Sequence, residues 1–415
     1  MDIRLFVRND KGTMSIFKLN RSSRIFGTQD ARRLAKRRLP RLVFDFVDGA
    51  TGREVGAARN TARLDDICLQ SRIMADVFDR TLKTPFLGKT YGLPFGVAPM
   101  GMCNLIHLDA DAALAAAAKA RNMPVGVSSA ASTDLETMLD RSGGNAWFQL
   151  YFGRSEDASM AVVDRAAQAG YDTLILTADV PVVSRRVRDL RNDFTVPFRL
   201  TPRSVLDFAS HPAWSVPMLL RGAPSPRNLG GANTDVKFGR NASRAGADWS
   251  FLGRLRERWR GNLIVKGITS PADAVLAQQL GVDAIYVSNH GARQLDSSRA
   301  AIDLLRPIRQ AVGADMPLIF DSGIRGGEDV IKALALGADF VMMGRPALYA
   351  LGAEGEKGLN ALLDCFAHDM DVALAQLGIT SIHELGLEQI VGGRESDVNQ
   401  SETSDSGDLR SINGG

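Results

Sequence analysis

Cysteine is scarce in this 415-residue chain: Cys68, Cys103 and Cys365 are the three present. They lie far apart without metal-ligand spacing, which excludes a disulfide framework and a cysteine-based zinc centre and points to a reducing cytoplasm. Long apolar runs are also lacking, since no stretch approaches the ~18 uncharged apolar residues that a membrane-spanning helix needs. The first twenty residues interleave charge with short apolar runs, so no secretory h-region is read there, and residues 1–27 form an N-terminal extension without an assigned role. The forty glycines have no three-residue period, which excludes a collagen-like chain. A GxGxxG after the first strand is missing, and with it the signature of an open dinucleotide-binding sheet.

What remains is a globular composition, 45% hydrophobic and 23% charged, long enough for one large α/β barrel. The net charge of +3 hides an uneven distribution, because Ser184 to Arg260 contains fifteen Lys or Arg against six Asp or Glu. No aromatic-interleaved or DNA-reading motif accompanies this cluster, so no nucleic-acid partner is expected.

From Tyr91 onward, short apolar runs alternate with helical patterns, as in repeated βα units on a parallel sheet. The runs are Phe95 to Ala98, Pro124 to Val127, Trp147 to Leu150, Thr173 to Leu176, Leu263 to Val265, Ala284 to Val287, Pro317 to Phe320 and Phe340 to Met343. Continuous apolarity is what a strand covered on both faces requires. Ser155 and Ser270 stand where the following helices need N-caps. Eight such units predict a closed (β/α)8 TIM barrel, with an open sheet as the other arrangement, and a long insertion of about residues 181–248 after strand four. Residues 388–415 are polar, almost free of large apolar groups, and read as a disordered tail.

In such barrels the chemistry gathers where strands end. Here the ends carry Pro99, Ser128, Tyr151, Thr177 with Asp179, Lys266, Ser288 with His290, Asp321, and Gly344 with Arg345. His290 offers a base near neutral pH, and Arg293, in SNHGARQLD, a planar fork suited to a carboxylate. Asp179 can offset an imidazolium charge, and Arg186 supplies a second cation. Lys266, in the apolar run LIVKG, is costly unless it meets an anion. DSGIRGG, with Gly323 and Arg325, and MMGRP, with Gly344 and Arg345, open the last two helices, where barrel phosphate sites form. No metal site is expected.

From about Asp30 to Gly386 the chain resembles the FMN-dependent L-2-hydroxy acid oxidising family of glycolate oxidase, L-lactate dehydrogenase and mandelate dehydrogenase. LPRLVFDFVDGA, GVAPMG, FQLY, LTADVPVVSRRVRDLRNDF, VKGI, SNHGARQLD, DSGIRGG and ALGADFVMMGRP carry the resemblance, in that order. It implies that residues 28–387 form an FMN-binding domain. His290 is then the base, Asp179 its partner, Arg293 and Arg186 the arginines on the substrate carboxylate, and Tyr151 a tyrosine near the substrate. Pro99, Ser128, Gln149, Thr177 and Lys266 would contact the isoalloxazine or the start of the ribityl chain. Ser288, Asp321, Gly323, Arg325, Gly344 and Arg345 would follow the ribityl and phosphate. Lys266 would then meet the negative charge of a reduced flavin.

The family motif YDY reads Phe44, Asp45, Phe46 here, so the hydroxyl that would bond the substrate carboxylate is missing. With small residues at Gly101 and Ala130, this favours bulky or aromatic hydroxy acids. Whether His290 takes the α-proton or the hydroxyl proton stays open. So does the acceptor, a quinone, a cytochrome or oxygen, the last making a hydrogen peroxide-forming oxidase. An FMN barrel of another reaction type and a non-catalytic FMN module are the other readings. The family suggests a homotetramer. Its mandelate and lactate dehydrogenases associate with membranes through this insertion, and Leu206, Phe208, Trp214, Val216, Met218, Leu219 and Leu220 either supply apolar groups for peripheral contact at the inner membrane face, with Trp214 as an interfacial anchor, or cap the barrel mouth as a mobile lid.

Overall fold

A computed structural model describes residues 5–8, 14–17, 23–196, 198–229 and 244–391. Eight parallel strands close into a barrel: β1 (Phe95–Met100), β2 (Val125–Ser128), β3 (Ala146–Leu150), β4 (Thr173–Thr177), β5 (Asn262–Ile268), β6 (Ala284–Val287), β7 (Leu318–Phe320) and β8 (Phe340–Met343). Closure is through β8 on β1 and β4 on β5, each strand pairing with its sequence neighbour. An open sheet is thereby excluded. All eight expected runs fall on these strands, because each had to be apolar on both faces.

Two strands depart from regular pairing where the sequence demands it. The β5–β6 register slips between Lys266 and Ile268, at Gly267 (φ +104°), and the β1–β2 register slips between Val97 and Met100, around Pro99. Bulges re-aim side chains next to functional sites. The barrel interior holds Trp147, Ile175, Ile264, Tyr286, Ile319, Phe340 and Met342, and Phe86 and Tyr91 of the hairpin Thr84–Phe86 and Lys89–Tyr91 pack beneath them. Chemistry is therefore confined to the opposite end. Around the barrel, helices bury one continuous apolar layer. Ser155 accepts from Ala158 N at 3.2 Å and Ser270 from Asp273 N at 3.4 Å, so both predicted N-caps form.

The insertion contains helices Val187–Arg191, Pro202–Ala209 and Pro212–Arg221. Phe198, Phe208 and Trp214 pack together, with ring centroids 5.5 to 6.1 Å apart. Trp214 is buried and its Nε1 donates to the Leu105 carbonyl at 2.9 Å, so it anchors the insertion to the barrel and is not the exposed interfacial residue expected. Met218 is buried as well, whereas Leu206, Leu219 and Leu220 are exposed at 72%, 85% and 81%. Among the described residues no helix is long and apolar enough to cross a membrane.

Packing against the barrel unit extends beyond the expected 28–387. Ile25 is buried, and Ser23 Oγ donates to Glu354 Oε2 at 2.7 Å. Within the expected tail, Gln389 is buried and Ile390–Val391 pairs antiparallel with Cys68–Leu69, because Ile390 and Val391 give a short strand the apolar side chains it needs. Residues 392–415 lie outside those described. In the expected extension, Leu5–Arg8 pairs antiparallel with Met14–Phe17.

Candidate active site

The strand ends open into one cavity of about 1140 Å³. Its lining includes Phe46, Pro99, Gly101, Ala130, Tyr151, Arg186, Lys266, His290, Arg293, Asp321, Gly323, Arg325, Gly344 and Arg345. Ser128, Gln149, Thr177 and Ser288 are buried at the ends of β2, β3 and β4 and just beyond β6. Residues scattered over 300 positions of sequence thus converge because a parallel barrel delivers every strand end to the same face.

His290 sits in a tight turn after β6 with φ +57°, a left-handed conformation costly for a histidine. Its neighbour holds it there. Asn289 and Asn60 exchange amide hydrogen bonds at 2.8 Å, and Asn289 Nδ2 also donates to the Arg299 carbonyl at 3.0 Å. Asp179, beyond β4, places Oδ1 2.9 Å from His290 Nδ1. That approach needs Gly267, where a Cβ would stand 2.4 Å from the Asp179 Cβ. The pair fixes the imidazole with Nε2 free of Asp179. Burial lowers the His290 pKa; Asp179 opposes this, and the nearby Lys266 and Arg186 charges reinforce it. Burial therefore favours the neutral, basic form of the ring.

Lys266 Nζ lies 3.0 Å from Asp321 Oδ2 and donates to Ser288 Oγ at 2.6 Å. Ser288 Oγ in turn donates to Asp321 Oδ1 at 2.5 Å and accepts from His290 N at 3.0 Å. Burial works against the Lys266 charge, but Asp321 and Asp179 outweigh it and raise the pKa. The anion that the apolar run LIVKG required is thus supplied by the protein through Asp321, in place of a flavin alone. Asp321 accordingly stands at the lysine and links it, through Ser288, to the histidine turn.

Arg293 donates to the carbonyls of Gly49 (2.8 Å) and Phe46 (3.0 Å), at the end of helix Arg41–Asp48. Arg345 grips the same helix end through Gly49 (2.9 Å) and Val47 (3.2 Å) and also donates to Gly291 (3.1 Å). This helix terminus therefore ties the loops after β6 and β8 to each other. Phe46 lines the cavity with its ring stacked 4.6 Å from Phe194 of the insertion. Gly101 and Ala130 pack against each other so closely that a Cβ on Gly101 would stand 2.9 Å from the Ala130 Cβ.

Several features fit FMN. Gln149 Nε2 and Thr177 Oγ1 are buried without a partner among the described residues, so a polar ring edge above β3 and β4 would satisfy them. Arg325 is buried deeply enough that its pKa is lowered, and its guanidinium donates to the adjacent Ile324 carbonyl at 2.8 Å. A phosphate beside it would supply the missing anion, between the helices that begin at Gly327 and Arg345.

Residues 35–391 match the family model described as FMN-dependent dehydrogenase. The chain belongs to that family. This FMN-dependent dehydrogenase is 37% identical to an L-lactate dehydrogenase of Pseudomonas syringae over 369 residues, spanning 87% of this chain and 97% of that one. It is 36% identical to the (S)-mandelate dehydrogenase of Pseudomonas putida, covering 88% and 93%. Among solved structures it resembles the monotopic membrane protein (S)-mandelate dehydrogenase with a TM-score of 0.85 at 34% identity, over 89% of this chain and 100% of the other.

Sequence reasoning missed Phe194, Arg227 and Arg244, which also line the cavity. All three belong to the insertion, and no spacing reveals which part of a 68-residue loop folds back over the barrel mouth. The basic excess of that window was the one signal pointing to Arg227 and Arg244.

Proposed function

We propose that the protein oxidises bulky L-2-hydroxy acids to 2-oxo acids, with FMN held by Pro99, Ser128, Gln149, Thr177 and Lys266 at its ring and by Ser288, Gly323, Arg325, Gly344 and Arg345 along its ribityl and phosphate. The observation that carries the reading is the His290–Asp179 pair at 2.9 Å in the cavity that also holds Arg186, Arg293 and Tyr151. FMN, when bound, accepts the two electrons that leave the substrate. Arg186 and Arg293 fix the substrate carboxylate, and Tyr151 orients the hydroxyl end. His290 takes a proton from the substrate through Nε2, and Asp179 on Nδ1 offsets the charge that appears on the ring. Phe46, Gly101 and Ala130 leave an apolar wall for a large side chain in place of the absent tyrosine hydroxyl.

A second part of the proposal concerns the acceptor. The exposed Leu206, Leu219 and Leu220, with Arg199, Arg203 and Arg221 alongside in sequence, suit an anionic lipid surface. Electrons would then pass to a quinone or another membrane carrier. The test is anaerobic: a panel of L- and D-hydroxy acids is mixed with the yellow protein and the flavin absorbance followed, then a quinone analogue or air is admitted. Bleaching by bulky L-acids and faster recovery with the quinone support the reading; no bleaching by any 2-hydroxy acid overturns it.

A further inference from the structure

Arg227 and Arg244 are cavity cations that the assignments above leave without a task. Both are fixed at the barrel mouth through their backbone. Arg227 N donates to the Ala131 carbonyl at 2.9 Å, and the adjacent Asn228, fully buried, accepts from Leu135 N and donates to the Thr133 carbonyl, each at 2.9 Å. On the other flank Arg244 N donates to the Pro181 carbonyl at 2.9 Å, just beyond β4. The Arg244 guanidinium lies 4.1 Å from the centroid of the Tyr151 ring. Its neighbour Gly246 fits against Phe152 where a Cβ would stand 2.3 Å from the ring. The insertion is thus anchored at Arg227 to the loop after β2 and at Arg244 to the start of its own loop after β4.

The electrostatics of Arg244 are incomplete. Burial pushes the Arg244 guanidinium below its usual range, and the one interaction that opposes this is with Tyr151. Neither arginine forms an ion pair among the described residues. Among the described residues, the carboxylate lining the cavity is Asp321, which Lys266 already engages. Arg227 is exposed at the cavity rim, whereas the partly buried Arg244 guanidinium needs an anion, and a ring face recovers a fraction of that energy. Arg325 and Arg345 answer to the phosphate, and Arg186 and Arg293 to the first carboxylate. A second anion is left to be supplied.

We propose that the preferred substrate is a 2-hydroxy acid whose side chain ends in a second carboxylate, bound by Arg227 and Arg244. This rests on the hydroxy acid reading above and narrows it. Phe46, Phe194 and Val196, which share the cavity, take the apolar middle of such a molecule. The two arginines act as specificity residues.

The experiment compares diacids with their neutral amides on the FMN-loaded enzyme: L-2-hydroxyglutarate against its 5-amide, and (S)-4-carboxymandelate against (S)-4-carbamoylmandelate. Two readouts are taken, kcat/KM from flavin bleaching and Kd of the corresponding 2-oxo products from perturbation of the oxidised flavin spectrum. For at least one pair the diacid is expected to be favoured by about tenfold or more in both, as a charge-assisted pair would give. Arg244→Gln and Arg227→Gln should each bring the ratio toward one, with Arg244→Lys retaining part of it. In the wild type alone, raising salt to about 0.5 M should weaken the diacids more than the monoanionic amides and so shrink the diacid preference, which keeps the test valid if a variant fails to fold. Diacids and amides within about twofold of each other in the wild type, or a preference that survives both glutamine substitutions, would overturn the proposal. If mandelate, lactate and every compound above leave the flavin oxidised, the hydroxy acid reading itself fails.

Discussion

At the scale of residues, the account rests on a histidine held neutral by burial and oriented by a carboxylate. Because burial lowers the His290 pKa, the ring stays unprotonated below the ordinary histidine value of about 6.5, and kcat/KM should hold as pH falls through that value before its acid limb appears. Asp179 opposes this lowering. Asp179→Asn should therefore move the acid limb to still lower pH while cutting the plateau by about 10²- to 10⁴-fold, since the imidazolium loses its partner. A limb that moved upward, or a plateau within a few-fold of wild type, would contradict the pairing. Phe46→Tyr should restore a hydrogen bond to a charged group, an interaction of about 1.5–3 kcal/mol. The gain, about tenfold or more in kcat/KM, is expected to be largest for glycolate and lactate, and an unchanged ratio of small to bulky substrates would refute the role given to Phe46. His290, Asp179, Arg186 and Arg293 were legible in sequence because each follows a strand at short range. Asn60, which locks the histidine turn from 230 positions away, was not, since an asparagine in a helix carries no local sign of its partner.

Among the elements, the insertion departs most from what its sequence suggested. Its composition alone allowed every apolar side chain from Leu206 to Leu220 to face lipid. The helices instead divide them, Trp214 and Met218 inward and Leu206, Leu219 and Leu220 outward. An alternation of that kind depends on which helix face meets the barrel, and Leu105, which receives the Trp214 N–H, is 109 positions away. Peripheral membrane binding is then expected to rest on leucines and arginines. Leu206, Leu219 and Leu220 changed together to Ser should lower partition onto anionic vesicles by about 100-fold or more, at about 1.5–3 kcal/mol for each leucine removed from lipid. High salt should weaken wild-type binding further. Co-sedimentation of wild type and triple variant to the same extent at low salt would leave these leucines as the outer face of a lid.

For the molecule as a whole, the barrel was readable because all eight strands carry the same demand, burial on both faces, and the chain repeats it at βα spacing. Its limits were less so: Ile25 and Gln389, near the two ends of the packed unit, are buried by contacts that leave no periodic trace. A cofactor seated between loops drawn from all eight strand ends should also tie the barrel together. At free FMN about 100 times its Kd, the linkage amounts to about 2.7 kcal/mol, so the apoprotein should melt at a lower temperature than the holoprotein and recover on adding FMN but not riboflavin, which lacks the phosphate proposed above for Arg325 and Arg345. Equal rescue by riboflavin would displace the phosphate from those arginines. The most direct test of the central claim is anaerobic stopped-flow reduction of FMN-loaded wild type and His290→Ala by (S)-mandelate. The account predicts that both proteins hold FMN with comparable spectra, that the wild type bleaches within the dead time to seconds, and that the alanine variant bleaches slower by about 10²- to 10⁴-fold, the contribution of a positioned base. A variant that holds FMN and bleaches at the wild-type rate would contradict it.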